Sequence, residues 1–152
     1  MIDTAALWSL VGHLFDSQKL AVLSTVQPEG HAYSSLVAFA ATENAKTILF
    51  ATTRATRKFE NLMANDRVSL LVDNRSNDAR DFREAAAATI LGVAAEVSDE
   101  RERRELVDLY VEKHPHLSEF VNTPTCALLK CRIEKIYLVQ KFQKVMELHV
   151  DS

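Results

Sequence analysis

"FATTRATRKFENLMANDRVSLLV", residues 50–72, decides how this chain is read. Residues 51–58 follow the apolar run Ile48-Leu49-Phe50 and gather three threonines and three cations, Arg54, Arg57 and Lys58. Phe59, Leu62 and Met63 then recur at helical spacing, and the short helix they define ends near Asn65-Asp66. "RVSLLVDN" (67–74) is apolar enough for a strand. The stretch therefore reads strand, helix, strand, with positive charge collected where the first strand gives way to the helix.

Thr56 is a suitable N-cap for a helix over 57–64, because its hydroxyl can accept from an early backbone N–H. Arg57 and Lys58 then fall in the first turn, where the helix dipole disfavours cations and favours anions by a fraction of a kcal/mol. Two cations at that end are reasonable when an anion sits between them and the free N–H groups. Phosphate suits the place: the helix end gives N–H donors, arginine a two-pronged fork and lysine a point charge. Thr52, Thr53 and Thr56 add hydroxyls. The plain alternative is a solvated charge cluster paired with Glu60 or Asp66; Arg54 is open to either reading. Gly12, Gly30 and Gly92 are the only glycines, which excludes a Walker loop and a dinucleotide fingerprint.

Composition narrows the function further. The 152 residues are 47% hydrophobic and 26% charged, as expected of one ordinary domain spanning 1–152 with a substantial core. The formal charge of −3 argues against a nucleic-acid binder, so the cationic cluster is local and fits a small anion. No apolar stretch is long enough for a membrane span, and Met1-Ile2-Asp3-Thr4 does not resemble a signal peptide, so a cytoplasmic protein is expected. Cys126 and Cys131, an odd number of residues apart on a strand, point to opposite faces and are expected to be ordinary buried thiols. The histidines form no metal-ligand pattern, and "HPH" (114–116) reads as a helix end broken by Pro115.

The remaining pattern is mostly sheet. A helix carrying Leu7, Trp8, Val11, Leu14 and Phe15 opens the chain after an Asp3 or Thr4 cap. "KLAVLSTV" (19–26), "HAYSSLVAF" (31–39) and "TILFAT" (47–52) are strands joined by the turns "QPEG" and "TENAK", an antiparallel meander. "RSNDARDFRE" (75–84) is a polar connection before the alanine-rich strand 85–97. Ser98 or Asp99 caps a helix with Leu106, Val107, Tyr110 and Val111 as its apolar stripe. A brief helix or turn near 116–121, a long strand over 125–140 and a tail, "KFQKVMELHV", complete the chain. The expected class is mainly β with flanking helices.

The 50–72 stretch resembles the core motif of the pyridoxamine 5′-phosphate oxidase-like, FMN-binding split-barrel family. That motif has a strand ending in Thr, a Ser/Thr-Arg-Lys step, a helix ending in Asn-Pro and an apolar strand beginning with Arg. Thr52, Thr56-Arg57-Lys58, Asn65 and Arg67-Val68 match it, and Asp66 replaces the proline. The order of elements agrees over residues 17–140.

The resemblance implies an antiparallel split β-barrel of Greek-key type that binds FMN, with Arg57 and Lys58 on the phosphate and Thr52 and Thr56 assisting. It also implies that Tyr33, Ser34, Ser35, Leu36 and Val37 lie along the isoalloxazine ring. Small side chains and hydroxyls there suit a flat polar heterocycle. A homodimer with flavin at the subunit interface is implied too. "DNRSND" (73–78) is then a candidate contribution from the second chain, or simply an Asx-rich turn, and His149 a candidate from the tail.

Flavin chemistry on a small-molecule substrate is the expected activity. True pyridoxamine phosphate oxidases carry a substrate lysine near the position of Phe39–Ala41 and an Arg-x-His near the C-terminus, both absent here, so another substrate is expected. The alternatives are a related deazaflavin as cofactor, a non-catalytic flavin or haem protein, for which His149, His116 or His31 would supply the axial ligand, and a cofactor-free interaction domain.

Overall fold

A computed structural model describes residues 3–141 and 144–151. The chain opens with α1 (Thr4–Ser17), capped by the Asp3 side chain, which accepts from the Ala5 N–H at 3.2 Å. Leu7, Val11, Leu14 and Phe15 form the buried face of α1. Strands β1 (Leu20–Val26), β2 (Ala32–Ala41) and β3 (Thr47–Thr53) follow as the expected meander. The first turn needs a positive φ, and Gly30 supplies it at +95°.

Next come α2 (Arg57–Ala64), β4 (Arg67–Asp73) and a single helical turn, α3 (Asp81–Glu84), inside the polar connection. Strand β5 (Ala86–Glu96), α4 (Glu100–Lys113), a 3-10 turn (Pro115–Leu117), α5 (Ser118–Asn122), β6 (Cys126–Gln140) and β7 (Lys144–His149) complete the described chain. The sheet runs β3-β2-β1-β4-β5-β6-β7, and β3 also pairs with β6. That pairing closes the first six strands into an antiparallel barrel, as the family resemblance implies.

One glycine allows a close approach of β5 and β6. The β5–β6 register shifts between Leu91 and Gly92, and a Cβ on Gly92 would lie 2.5 Å from both the Arg132 carbonyl oxygen and Cys131 Sγ. The strands can come this close only without a side chain there.

The barrel interior holds Phe15, Phe39, Phe50, Leu70, Ile90 and Ile136 among others. On β5 the inward positions include Ala86, Ala88 and Ala94, small residues in a core that already contains several large rings. A second apolar cluster lies outside the barrel, where Val107 and Tyr110 of α4 and Val121 of α5 cover Ala40, Leu49 and Leu128. Strand β6 is thus sandwiched between two cores, and both its cysteines are buried free thiols.

β7 was not expected from the sequence. It pairs with the second half of β6, from Lys135↔His149 to Gln140↔Lys144. Of its residues only Leu148 is buried, so it lacks the clear alternation that marks a strand. Phe142 and Gln143 of the predicted tail lie outside the described residues. No described helix is long and apolar enough to cross a membrane.

Candidate functional site

Strands β2 and β3 stay paired only at Phe39↔Phe50, Ala40↔Leu49 and Ala41↔Ile48. Beyond these pairs they diverge. Each remains paired on its other side, β2 to β1 and β3 to β6, so only their facing edges lose a strand partner. A cavity of about 350 Å³ occupies the gap, with Leu36, Val37 and Ala38 on one wall and Ala51, Thr52 and Thr53 on the other. Backbone groups on such edges must find partners elsewhere, which suits a ligand rich in heteroatoms.

The N-terminus of α2 lies at this gap. Phe59 and Leu62 anchor α2 in the barrel core, and Asn61 donates to Thr25 Oγ1 on β1 at 3.0 Å, a buried polar contact. Thr56 is the N-cap, as predicted: its Oγ1 accepts from the Phe59 N–H at 3.3 Å. The same oxygen shares a 2.8 Å hydrogen bond with Thr52 Oγ1, and both hydroxyls can donate to the Thr53 carbonyl. Thr56 and Lys58 line the cavity. The first-turn N–H groups of Arg57 and Lys58 have no intrahelical acceptor, so the helix presents donors at this end.

The three cations separate into distinct roles. Arg54 forms a fork with Glu96, at 2.6 Å and 3.4 Å, and also donates to the Pro124 carbonyl at 2.9 Å. It fastens β3 to β5 and the loop before β6, so it belongs to neither alternative left open by the sequence. Lys58 is half-buried at the cavity wall, whereas Arg57 is exposed and does not line the cavity. Neither forms an ion pair among the described residues, so the pairing with Glu60 or Asp66 is not found.

Helix α4 backs the cavity. Tyr110 lines it and donates from its hydroxyl to the Ala38 carbonyl at 3.0 Å; burial pushes the phenol pKa up, so the group stays protonated. His114 is buried one turn later, with Nε2 2.8 Å from the Phe39 carbonyl oxygen. Desolvation lowers its pKa, so the ring is neutral at pH 7 and its Nε2–H donates to that carbonyl. Lys113 donates to the Phe15 carbonyl at 2.7 Å and lies 3.8 Å over the Phe39 ring. Burial pushes its pKa down to about 8. Helix α4 is thereby fixed to β2 at successive carbonyls directly behind the cavity.

Five of the predicted site residues, Leu36, Val37, Thr52, Thr56 and Lys58, meet in this cavity. Tyr33, Ser34 and Ser35 lie further along β2, away from its walls. There Ser34 Oγ is 3.3 Å from Ser24 Oγ, and Ser35 Oγ is buried without a partner among the described residues. Sequence reasoning missed Ala38, Ala51, Tyr110, Leu117 and Phe120. Tyr110 stands in the apolar stripe of α4, which signals core packing and hides its second role.

The segment 73–78 lines a different cavity, of about 520 Å³. His149 is exposed, with Nε2 3.4 Å from Glu147 Oε2, and His31 and His116 are exposed as well. None of these three histidines lines either cavity.

A phosphate-bearing flat ring fits the residues present: a helix N-terminus with a half-buried lysine at one end, and small side chains beside unpaired strand edges along the gap.

Comparisons with known proteins agree with this architecture. The family model described as pyridoxamine 5′-phosphate oxidase matches residues 11–140. No curated protein matches. Among solved structures, the fold is similar to ChuZ from Campylobacter jejuni (TM-score 0.83, 12% identity, 98% of this chain and 61% of that one). It is also similar to a haem-binding protein from Mycobacterium smegmatis (TM-score 0.77, 15% identity, 88% and 53%). A third similar structure is an FAD-binding protein from Mesorhizobium loti (TM-score 0.68, 15% identity, 90% and 94%). The chain thus spans less than two thirds of the first two, and at these identities the likeness is one of fold. The match over residues 11–140, on a barrel split between β2 and β3, makes this chain a member of the pyridoxamine 5′-phosphate oxidase-like split-barrel family.

Proposed function

We propose that this protein is a cytoplasmic flavoprotein that holds FMN in the split between β2 and β3 and serves as an oxidoreductase for a small-molecule substrate. The observation that carries the reading is the convergence of Thr52, Thr56 and Lys58 on one cavity at the N-terminus of α2. Lys58 and the first-turn N–H groups would hold the phosphate, with Arg57 closing over it from the exposed side. Leu36, Val37 and Ala38 would flank the ring, and the Tyr110 hydroxyl, held on the Ala38 carbonyl, would keep that edge of β2 in place. Bound flavin supplies hydride exchange at its N5. The protein's part is to fix the ring and limit its contact with water.

The protein would act as a homodimer. Leu20, Leu36 and Leu91 are 54%, 66% and 36% exposed, and all three project from the outer face of the sheet, where a second copy would cover them. Haem is the competing cofactor, since the structural neighbours include a haem-binding protein and a haem storage protein. A haem in the split would lack a ligand from His31, His116 or His149, none of which reaches that cavity.

The test is a visible spectrum of the purified protein followed by titration of the apoprotein with FMN, read by flavin fluorescence. Saturation near one FMN per chain is expected. A Soret band in place of flavin bands, or a folded protein that binds no FMN, would overturn the reading.

A further inference from the structure

Besides its strand edges and the start of α2, the split has a helical wall. Tyr110 of α4, Leu117 of the 3-10 turn and Phe120 of α5 supply it. A helix of five residues has little stability of its own, so α5 depends on its ties to the rest of the fold. Val121 is fully buried in the outer apolar cluster. Arg103 reaches from α4 to donate to the Val121 carbonyl at 2.9 Å, and Arg54 holds the following loop through the Pro124 carbonyl at 2.9 Å. Asn122 and Thr123 donate to the Ser118 and Glu119 carbonyls at 2.8 and 2.9 Å. The segment carrying Phe120 is therefore fixed from several sides.

The cavity lining sorts by chemistry. Side chains of Thr52, Thr56 and Lys58 can donate hydrogen bonds, whereas those of Leu36, Ala38, Leu117 and Phe120 cannot. Phosphate oxygens set against the second group would lose water without gaining donors. The phosphate belongs with Lys58, and the apolar group is left for a flat aromatic system.

Within that group the two aromatic residues of the wall differ. Tyr110 is 1% exposed, and its hydroxyl is tied to the Ala38 carbonyl, so its ring is already packed in the outer cluster. Phe120 is 38% exposed. It offers the cavity aromatic surface that a flat ligand can cover, and such rings gain from offset or edge-to-face contact beyond the burial itself.

We propose that Phe120 is a cofactor-binding residue that packs against the isoalloxazine ring from the α5 side of the split and, with Leu117, keeps water from it. The assignment rests on the flavin reading and adds to it a contact made by the helical insertion between β5 and β6.

FMN, riboflavin and lumiflavin share the ring and differ in what it carries: riboflavin lacks the phosphate, and lumiflavin lacks the ribityl chain as well. Calorimetric titration of the full chain with each flavin tests the assignment in wild type, Phe120→Ala and Phe120→Tyr. Phe120→Ala should weaken all three by the same factor, about tenfold, with the melting temperature unchanged. Phe120→Tyr keeps the ring and should restore each affinity to within about twofold. Unchanged affinities in Phe120→Ala, a loss that spares lumiflavin, a loss that comes with a lower melting temperature, or no recovery in Phe120→Tyr would each overturn the assignment and leave the flavin reading standing. So would light scattering that shows a dimer dissociating in Phe120→Ala, because Phe120 would then serve the interface. A folded wild type that binds none of the three flavins would remove the flavin reading, and the assignment with it.

Discussion

Lys58→Ala and Arg54→Ala make a matched pair, because the sequence places both cations within five residues and the structure gives them different work. Lys58 lines the split at the start of α2, half-buried and without an ion pair among the described residues. If it holds the FMN phosphate, its removal costs one charge-assisted hydrogen bond, about 1.5–3 kcal/mol, or roughly ten- to 150-fold in Kd. Arg54 is spent on Glu96 and the Pro124 carbonyl. Its side chain is 42% exposed, so losing that pair costs at most about 1 kcal/mol of stability. FMN affinity should fall less than about threefold, a change too small to represent a charge-assisted contact. Fluorescence titration of each variant with FMN and with riboflavin separates the two roles. Riboflavin lacks the phosphate, so Lys58→Ala should leave its affinity unchanged. The reasoning fails if Arg54→Ala weakens FMN as much as Lys58→Ala, or if Lys58→Ala weakens both flavins equally.

Gly92→Ala should destabilise the barrel by about 3 kcal/mol or more, since the added methyl meets backbone at 2.5 Å; a melting temperature within a few degrees of wild type would refute the tight β5–β6 contact. Thr56→Ala should cost about 1 kcal/mol through the lost N-cap, and Thr56→Ser should recover most of it in urea denaturation. His114 should make stability fall as the pH drops through and below its ordinary 6.5. Its folded pKa is lowered, so in that range the unfolded chain binds more protons, and the stabilisation present above 6.5 is lost. His114→Gln should flatten that acid-side slope between pH 7.5 and 5.5, and an unchanged slope would assign it to other groups.

How far the sequence could be read depended on how each residue does its work. Thr56 as a cap, the α2 face of Phe59 and Leu62, and the β1–β3 meander are local patterns, set by spacing and turn chemistry, and the structure has them where they were expected. Lys58, Thr52 and Leu36 were recognised by motif and do share a cavity. Ala38, Ala51 and Tyr110 were invisible because their contribution is made by tertiary packing: two alanines leave space where strands part, and a core tyrosine happens to back it. β7 escaped because it gains its place from pairing with β6, with a single buried residue of its own.

The split itself explains why the candidate site gathers there. A barrel closed all round satisfies the backbone of every strand and offers a ligand only side chains. Here β2 and β3 part after three residue pairs, and the Tyr110 hydroxyl takes up the Ala38 carbonyl at the point of divergence. The facing edges are held in place by β1 and β6 on their outer sides. Helix α2 enters the barrel end with its donor-rich terminus at the same gap, because Phe59, Leu62 and the buried Asn61–Thr25 hydrogen bond fix its direction. If the site holds FMN, backbone groups on the split edges would face its ring, and the α2 terminus with Lys58 and Thr56 would face its phosphate.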